Sequence, residues 1–352
     1  LSYEDFEMRV FGADGAPLFK LAESRGALSV TEDGLTLSMS GSGVGTGLPG
    51  GMALDIRTSE LSSRMQASLA AAQWSLADLS ARLGARGESL SGVPADITVE
   101  FDTSAAQGVE EIIIKAKLEE GILPFGESGT PVSDLDLALT YAAAQDDLQV
   151  DWQSSRFRPV SGQLNLEIFD ALKGSGARRF RLTSPALGLD VTPVLEAPVS
   201  FLDVRMSGMA DFESRRLSDT RLQFTSEEAV YTLDADIGML ADRQPGEPPF
   251  TGTLELATEG VVSRETVLAL WPVTLGTGAR SFTRKRITNT DITGLQAQLT
   301  LARDSFAEGY LRDEDLNLTF DINSADVKFL DDLPAARNAV GRGRLTGNSF
   351  RV

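Results

Sequence analysis

The chain contains 352 residues, with 51 Asp or Glu against 32 Lys or Arg and a formal net charge of −19, and it has neither His nor Cys. These absences exclude imidazole-based catalysis, His-ligated metal sites, thiol nucleophiles, thiolate zinc sites and disulfides, so we expect no cofactor and no metal. The negative charge also argues against nucleic acid as a partner, because binding to a phosphate backbone requires clustered Lys and Arg.

Alternating apolar and polar residues recur along the whole chain and predict β-strands in a sheet with one solvent-exposed face. We count roughly seventeen to twenty such strands, separated by turns rich in Gly, Pro, Asp, Asn and Ser. The pattern therefore predicts a mainly β fold, an elongated and curved antiparallel sheet that forms a groove or an open barrel, with a few short helices. The clearest strands are Leu35–Met39, Asp96–Phe101, Leu135–Tyr141, Leu148–Trp152, Gln163–Ile168, Arg221–Phe224, Thr253–Leu256, Leu295–Leu301 and Leu316–Ile322.

Three segments show the spacing of short helices. Ser75–Leu83 places three leucines on one face, and Ser263–Trp271 begins with a possible N-cap and ends before a proline. Ala279–Arg286 is the third and weakest. The first two each come after an alternating strand, which suggests a faint internal repeat of strand, helix and return strand.

Composition suggests one boundary inside the chain. A loop rich in Pro and Gly precedes Phe250, so we predict a repetitive β-sheet segment over residues 1–249 and a module over 250–352 that continues the same sheet. The chain starts at Leu1 rather than at Met and reads as strand up to its last residue, so we expect a fragment of a longer protein. No run of apolar residues approaches the ~18 that a membrane helix requires.

Two motifs with a chemical interpretation have simpler explanations. Gly45–Gly50 matches the spacing G-x-G-x-x-G, but the next segment, Met52–Arg57, alternates like a strand, whereas a dinucleotide site requires a helix there. Paired acids such as Asp134 with Asp136 and Asp234 with Asp236 could serve a carboxylate-based hydrolase. These acids fall on the polar faces of predicted strands, so we favour a solvated role and no enzymatic activity.

A single basic cluster stands out in this acidic chain. It consists of Arg280, Arg284, Lys285 and Arg286, beside a short helix. Such a cluster could contact lipid headgroups. The simpler interpretation is a helix end whose cations offset the helix dipole and neighbouring acids.

The C-terminal block carries a resemblance to a known family. The resemblance rests on a series of short motifs in a fixed order. They are Leu268–Pro272, Gly278–Phe282, Arg286-Ile287, an alternating segment up to Leu301, Leu316–Ile322, Val327–Leu330, Leu333-Pro334 and Gly341–Phe350. In this order they resemble the YhdP-type module of the AsmA-like proteins of Gram-negative bacteria, which are relatives of TamB. The resemblance is clearest over residues 250–352. The upstream strands resemble this family in their general strand pattern more than in specific motifs.

The resemblance implies a periplasmic protein whose parent is anchored in the inner membrane by parts outside this chain. It also implies a curved β-groove that binds phospholipid or another acyl lipid and supports lipid transport for outer-membrane biogenesis. Candidate groove-lining residues lie at alternate positions of two strands: Leu295, Ala297, Leu299, Leu301, Leu316, Leu318, Phe320 and Ile322. Two alternatives are a structural or adhesin-like β-scaffold without a ligand and, behind it, the carboxylate-based hydrolase.

Overall fold

The computed structural model divides into two compact units, residues 1–173 and 174–352. It describes the chain except for residues 1, 12–16, 33, 45–50, 60–62, 76–93, 105, 107, 124–129, 155, 158–159, 173–175, 193, 241, 243–246, 249, 274–275, 307–310, 329–333 and 348. Among the described residues, strands predominate and helices are few, the strands are antiparallel, and the sheet is not closed into a ring. The predicted mainly β fold with few helices is therefore confirmed.

The first unit is an antiparallel meander. Each strand from β1 to β9 pairs with the next, and β9 pairs with β11, while the short β10 pairs with β8. The strands are β1 Ser2–Phe11, β2 Pro17–Thr31, β3 Gly34–Val44, β4 Gly51–Ser59, β5 Arg64–Ser75, β6 Pro94–Ser104, β7 Gly108–Leu123, β8 Thr130–Ala142, β9 Asp147–Ser154, β10 Arg156–Phe157 and β11 Val160–Ile168.

The second unit is also a meander, with a pair of helices inserted before β18. Pairing runs from β12 through β16, then to β18, β19, β20 and β21, and β17 pairs with β18. Its elements are β12 Arg178–Leu189, β13 Val199–Asp211, β14 Arg216–Ser226, β15 Ala229–Met239, β16 Phe250–Glu259, β17 Val262–Ser263, α1 Arg264–Leu270, α2 Thr277–Arg286, β18 Ile287–Leu301, β19 Leu316–Val327, β20 Gly341–Thr346 and β21 Phe350–Arg351, with a 3-10 turn at Asp313–Asp315.

The boundary predicted at residue 250 falls between two strands that pair with each other. The β15–β16 register runs from Val230 opposite Glu259 to Met239 opposite Phe250. The chain's division into two compact units falls between residues 173 and 174. The module predicted over residues 250–352, as a continuation of the same sheet, stays a prediction.

Local sequence explains the two helices. Ser263 caps α1, because its side chain accepts a hydrogen bond from the Thr266 amide, and the helix ends at Trp271, directly before a proline. α2 covers the third predicted helix, Ala279–Arg286, and starts two residues earlier. The first predicted helix has only Ser75 within the described residues, where it is the last residue of β5. The rest of that prediction lies outside the described part of the chain.

Three strands of the second unit contain bulges at residues with left-handed backbone angles. Asp203 in β13, Asp219 in β14 and Gly294 in β18 have φ values of 50°, 48° and 58°. Each residue lies at a point where the pairing register with the neighbouring strand shifts. A bulge bends the strand and increases its twist, so these positions curve the second sheet.

Candidate functional site

One face of the second sheet carries an apolar row that crosses nine strands, here called the second-unit row. Each member lies opposite the next in the strand register, so the bulges leave the faces in phase. Apart from Leu345, which is buried, every member is only half-buried. The row consists of Leu182, Met206, Leu222, Leu233, Leu256, Ala297, Leu318, Leu345 and Phe350.

The structure places all eight predicted lining residues on this same face. Leu299 lies opposite Leu316, and Ala297 lies opposite Leu318, so the two predicted sets belong to adjacent strands. Four of the eight are buried, namely Leu295, Leu301, Leu316 and Ile322. The other four, Ala297, Leu299, Leu318 and Phe320, are half-buried. Their role in lining a lipid groove remains a prediction.

The first sheet carries an equivalent row, here called the first-unit row. Its members also lie opposite one another, strand after strand, from β3 to β11. Met39 is buried, and all the others are half-buried aliphatic side chains. This row consists of Met39, Leu54, Leu69, Val99, Ile114, Leu139, Val150 and Leu166.

The opposite face of the second sheet is charged. Arg221 Nε donates to Asp234 Oδ1 at 2.7 Å, and Arg216 Nη2 donates to Asp236 Oδ1 at 2.8 Å. The hydrogen bond from Arg221 lowers the pKa of Asp234 below its usual range. A general acid needs a raised pKa, so the observed shift has the wrong direction for that role at Asp234.

An apolar cavity of about 320 Å³ lies between the helix pair and strands β18 to β21. Four predicted lining residues contribute to its wall: Leu295, Leu318, Phe320 and Ile322. The helix pair and its connection add Val267, Trp271 and Phe282. The volume falls at the lower end of the range typical of small-molecule sites.

A buried arginine, Arg280, holds the helix pair together. The sequence places Arg280 in the basic cluster but does not predict this role. Arg280 is 7% exposed. Its guanidinium donates to the carbonyls of Leu268 at 3.1 Å and Trp271 at 3.2 Å, at the end of α1. It also donates to Glu196 Oε2 at 2.7 Å. Arg280 thus joins both helices to the loop between β12 and β13.

The structure divides the predicted basic cluster. Arg280 and Arg284 both bind Glu196, whose pKa is lowered chiefly by the hydrogen bond from Arg280. Arg284 and Lys285 are exposed, and Arg286 is half-buried at the end of α2. Pairing with a neighbouring acid agrees with the simpler interpretation for Arg280 and Arg284, whereas headgroup contact by any of the four stays a prediction.

Glu196 is a site residue that no sequence pattern indicated. It lies in a loop without periodicity, 84 residues before Arg280.

The glycine motif can be compared with the structure only in part, because residues 45–50 lie outside the described residues. The element after the motif is strand β4 rather than a helix. The helix N-terminus that a dinucleotide site requires is therefore not formed at that position.

No family model, curated protein or solved structure matches the chain. Within the part of the chain that the structure describes, none of the helices combines the length and apolarity needed to cross a membrane.

Proposed function

We propose that the chain binds phospholipid acyl chains along the apolar faces of its sheets. As an AsmA-like protein of the periplasm, it would support lipid transport between the inner and outer membranes, with membrane attachment through parts outside this chain. The observation that carries the proposal is the second-unit row, whose apolar side chains cross nine paired strands and are all half-buried except Leu345.

Partial burial is what gives the row binding capacity. A half-buried leucine keeps apolar surface in contact with water, and covering that surface with an acyl chain contributes about 25 cal/mol per Å². The attraction has no directional requirement, so it needs neither a charged group nor a short sequence motif. The charged opposite face, with Arg221 paired to Asp234, stays in water.

The second-unit row runs across the strands and is long enough for an acyl chain to slide along it. Neighbouring strands lie about 4.8 Å apart, so nine strands give a row of roughly 38 Å measured along the sheet. Nearly every strand presents a similar aliphatic side chain to the row. An acyl chain could therefore change its position along the row while exchanging one apolar contact for another.

Two glutamate substitutions on β18 test the proposal. Leu299 is half-buried on the apolar face, opposite Leu254 and Leu316. Gln296 is exposed on the other face, opposite Thr319. Gln298 is a poorer control, because its side chain donates to Glu255 at 3.1 Å and a glutamate there would place two acids together.

We expect native mass spectrometry and lipid extraction to find phospholipid bound to the purified chain. Leu299→Glu should reduce lipid occupancy by about tenfold or more, because lipid would desolvate the new carboxylate, while Gln296→Glu should leave occupancy unchanged. Thermal unfolding would verify that both variants fold. A lipid-free wild-type chain, or an equal loss in both variants, would contradict the proposal.

A ligand-free β-scaffold is the second candidate, because part of the apolar face is filled by the chain itself. Leu301, Leu311, Leu316 and Leu345 form a buried cluster against Trp271. If this packing extended along the whole face, no lipid would be recovered, and the chain would not take up a fluorescent fatty acid.

A further inference from the structure

The loop between β12 and β13 contacts the helix pair although three strands separate them in the sheet. β14, β15 and β16 lie between β13 and β18 in pairing order. Nevertheless, Glu196 of this loop binds Arg280 and Arg284 of α2. A second contact joins the backbones, since the Val273 amide donates to the Val194 carbonyl at 2.9 Å.

The same helix pair covers the apolar cavity. Val267 of α1, Phe282 of α2 and Trp271 between them form the cavity wall opposite β18 and β19. The helices are short, seven and ten residues, so tertiary contacts rather than helix propensity hold them in place. Among these contacts, Glu196 provides a charged partner for α2 from a loop three strands away.

We propose that α1 and α2 form a lid over the cavity and that Glu196 is the latch that holds the lid closed. Release of Glu196 frees α2 from the β12–β13 loop and admits an apolar ligand to the surface under the helices. This inference rests on the proposed lipid-binding function for the identity of the ligand, but the latch itself can be tested without lipid.

The geometry supports a latch rather than a general surface ion pair. Arg280 is 7% exposed and also donates, through Nε and Nη2, to two carbonyls at the end of α1, so its position is fixed. Glu196 is exposed, with 51% of its side-chain surface accessible, and belongs to a loop. Rotation of the Glu196 side chain or movement of its loop therefore separates the pair, and the sheet pairing stays intact.

Hydrogen–deuterium exchange of Glu196→Gln tests the latch. The substitution keeps the shape of the side chain and removes its charge. Amides of residues 264–286 should exchange about tenfold faster or more, as expected when hydrogen bonds to a charged group are lost, while β13 to β16 keep their protection. Arg284→Gln should act in the same direction, because Arg284 also binds Glu196. Glu213→Gln, in the exposed β13–β14 turn, is the matched control.

Uptake of a fluorescent fatty acid measures the function of the lid. Glu196→Gln should accelerate uptake severalfold relative to the wild type and to Glu213→Gln. Unchanged exchange over residues 264–286, or faster exchange without faster uptake of a probe that does bind, would overturn the latch. A probe that binds none of the proteins would overturn the lipid-binding proposal, while the exchange result would still decide the latch.

Discussion

The ring of Phe320 on β19 lies against Gly343 on β20, and the two residues are opposite each other in the register. A Cβ built on Gly343 would lie 2.1 Å from Phe320 Cζ, closer than any real contact. Phe320 also lines the apolar cavity. Because glycine has no side chain, position 343 leaves room for this aromatic ring to pack beside the cavity.

Gly343→Ala should displace the Phe320 ring and destabilise the second unit by about 1–3 kcal/mol, the range typical of overpacked sites. Gly341→Ala is the matched control on the same strand, because a Cβ there meets nothing within 4 Å. Chemical denaturation of both variants measures the difference. Equal stability of the two variants would show that the ring moves without cost.

Tyr231 should be replaceable by phenylalanine. It is 2% exposed, its ring stacks on Phe224 at 4.8 Å, and its hydroxyl has no hydrogen-bond partner among the described residues. Burial, together with the charge of Glu227, raises its pKa to about 12. Tyr231→Phe removes a desolvated hydroxyl. The free energy of unfolding should therefore stay unchanged or rise by up to about 1 kcal/mol, as chemical denaturation would measure.

Tyr231→Ala is the companion variant, and it should cost about 3–5 kcal/mol through the cavity left beside Val262 and Leu295. A loss of more than about 1 kcal/mol in Tyr231→Phe would mean that the hydroxyl has a partner, such as a bound water.

The stability of the first unit should fall in acid through Asp102. Arg64 donates to this carboxylate through Nε at 2.9 Å and also through Nη2, and these bonds lower the pKa of Asp102 below its ordinary value of 3.8. A lowered carboxylate pKa means that the stabilisation is complete above the ordinary value and is lost as the pH falls below it. Asp102→Asn should flatten the pH dependence of unfolding below about pH 4. An unchanged pH profile would argue against this ion pair in solution.

Ser263→Ala should weaken the start of α1. The Ser263 side chain accepts from the Thr266 amide at 3.1 Å, and the loss of such a cap costs about 1 kcal/mol. Ser263→Asp can replace the acceptor and serves as a rescue variant. Unfolding midpoints of the three proteins measure the effect, and equal midpoints for alanine and aspartate would contradict the capping role.

Local patterns were sufficient to predict the two helices of the second unit but not the proposed latch. The N-cap at Ser263 and the stop before Pro272 are short-range signals, and both appear in the structure. The basic cluster was also visible in the sequence. Its partner was not, because Glu196 is one of many acids in the chain and lies in a loop 84 residues away from Arg280.

The order of residues is enough to establish which side chains share a face of the sheet. Alternation with period two is a property of the extended backbone, so Leu295, Ala297, Leu299 and Leu301 had to lie on one side of β18 and the residues between them on the other. Long-range packing, in contrast, controls how far each side chain on that face is buried. Leu316 is buried beneath packed neighbours, whereas Leu299 is only half-buried, although both belong to the same pattern. The difference arises because strand register, bulges and the position of the two helices determine which part of an apolar face is covered, and these depend on contacts between residues far apart in the chain.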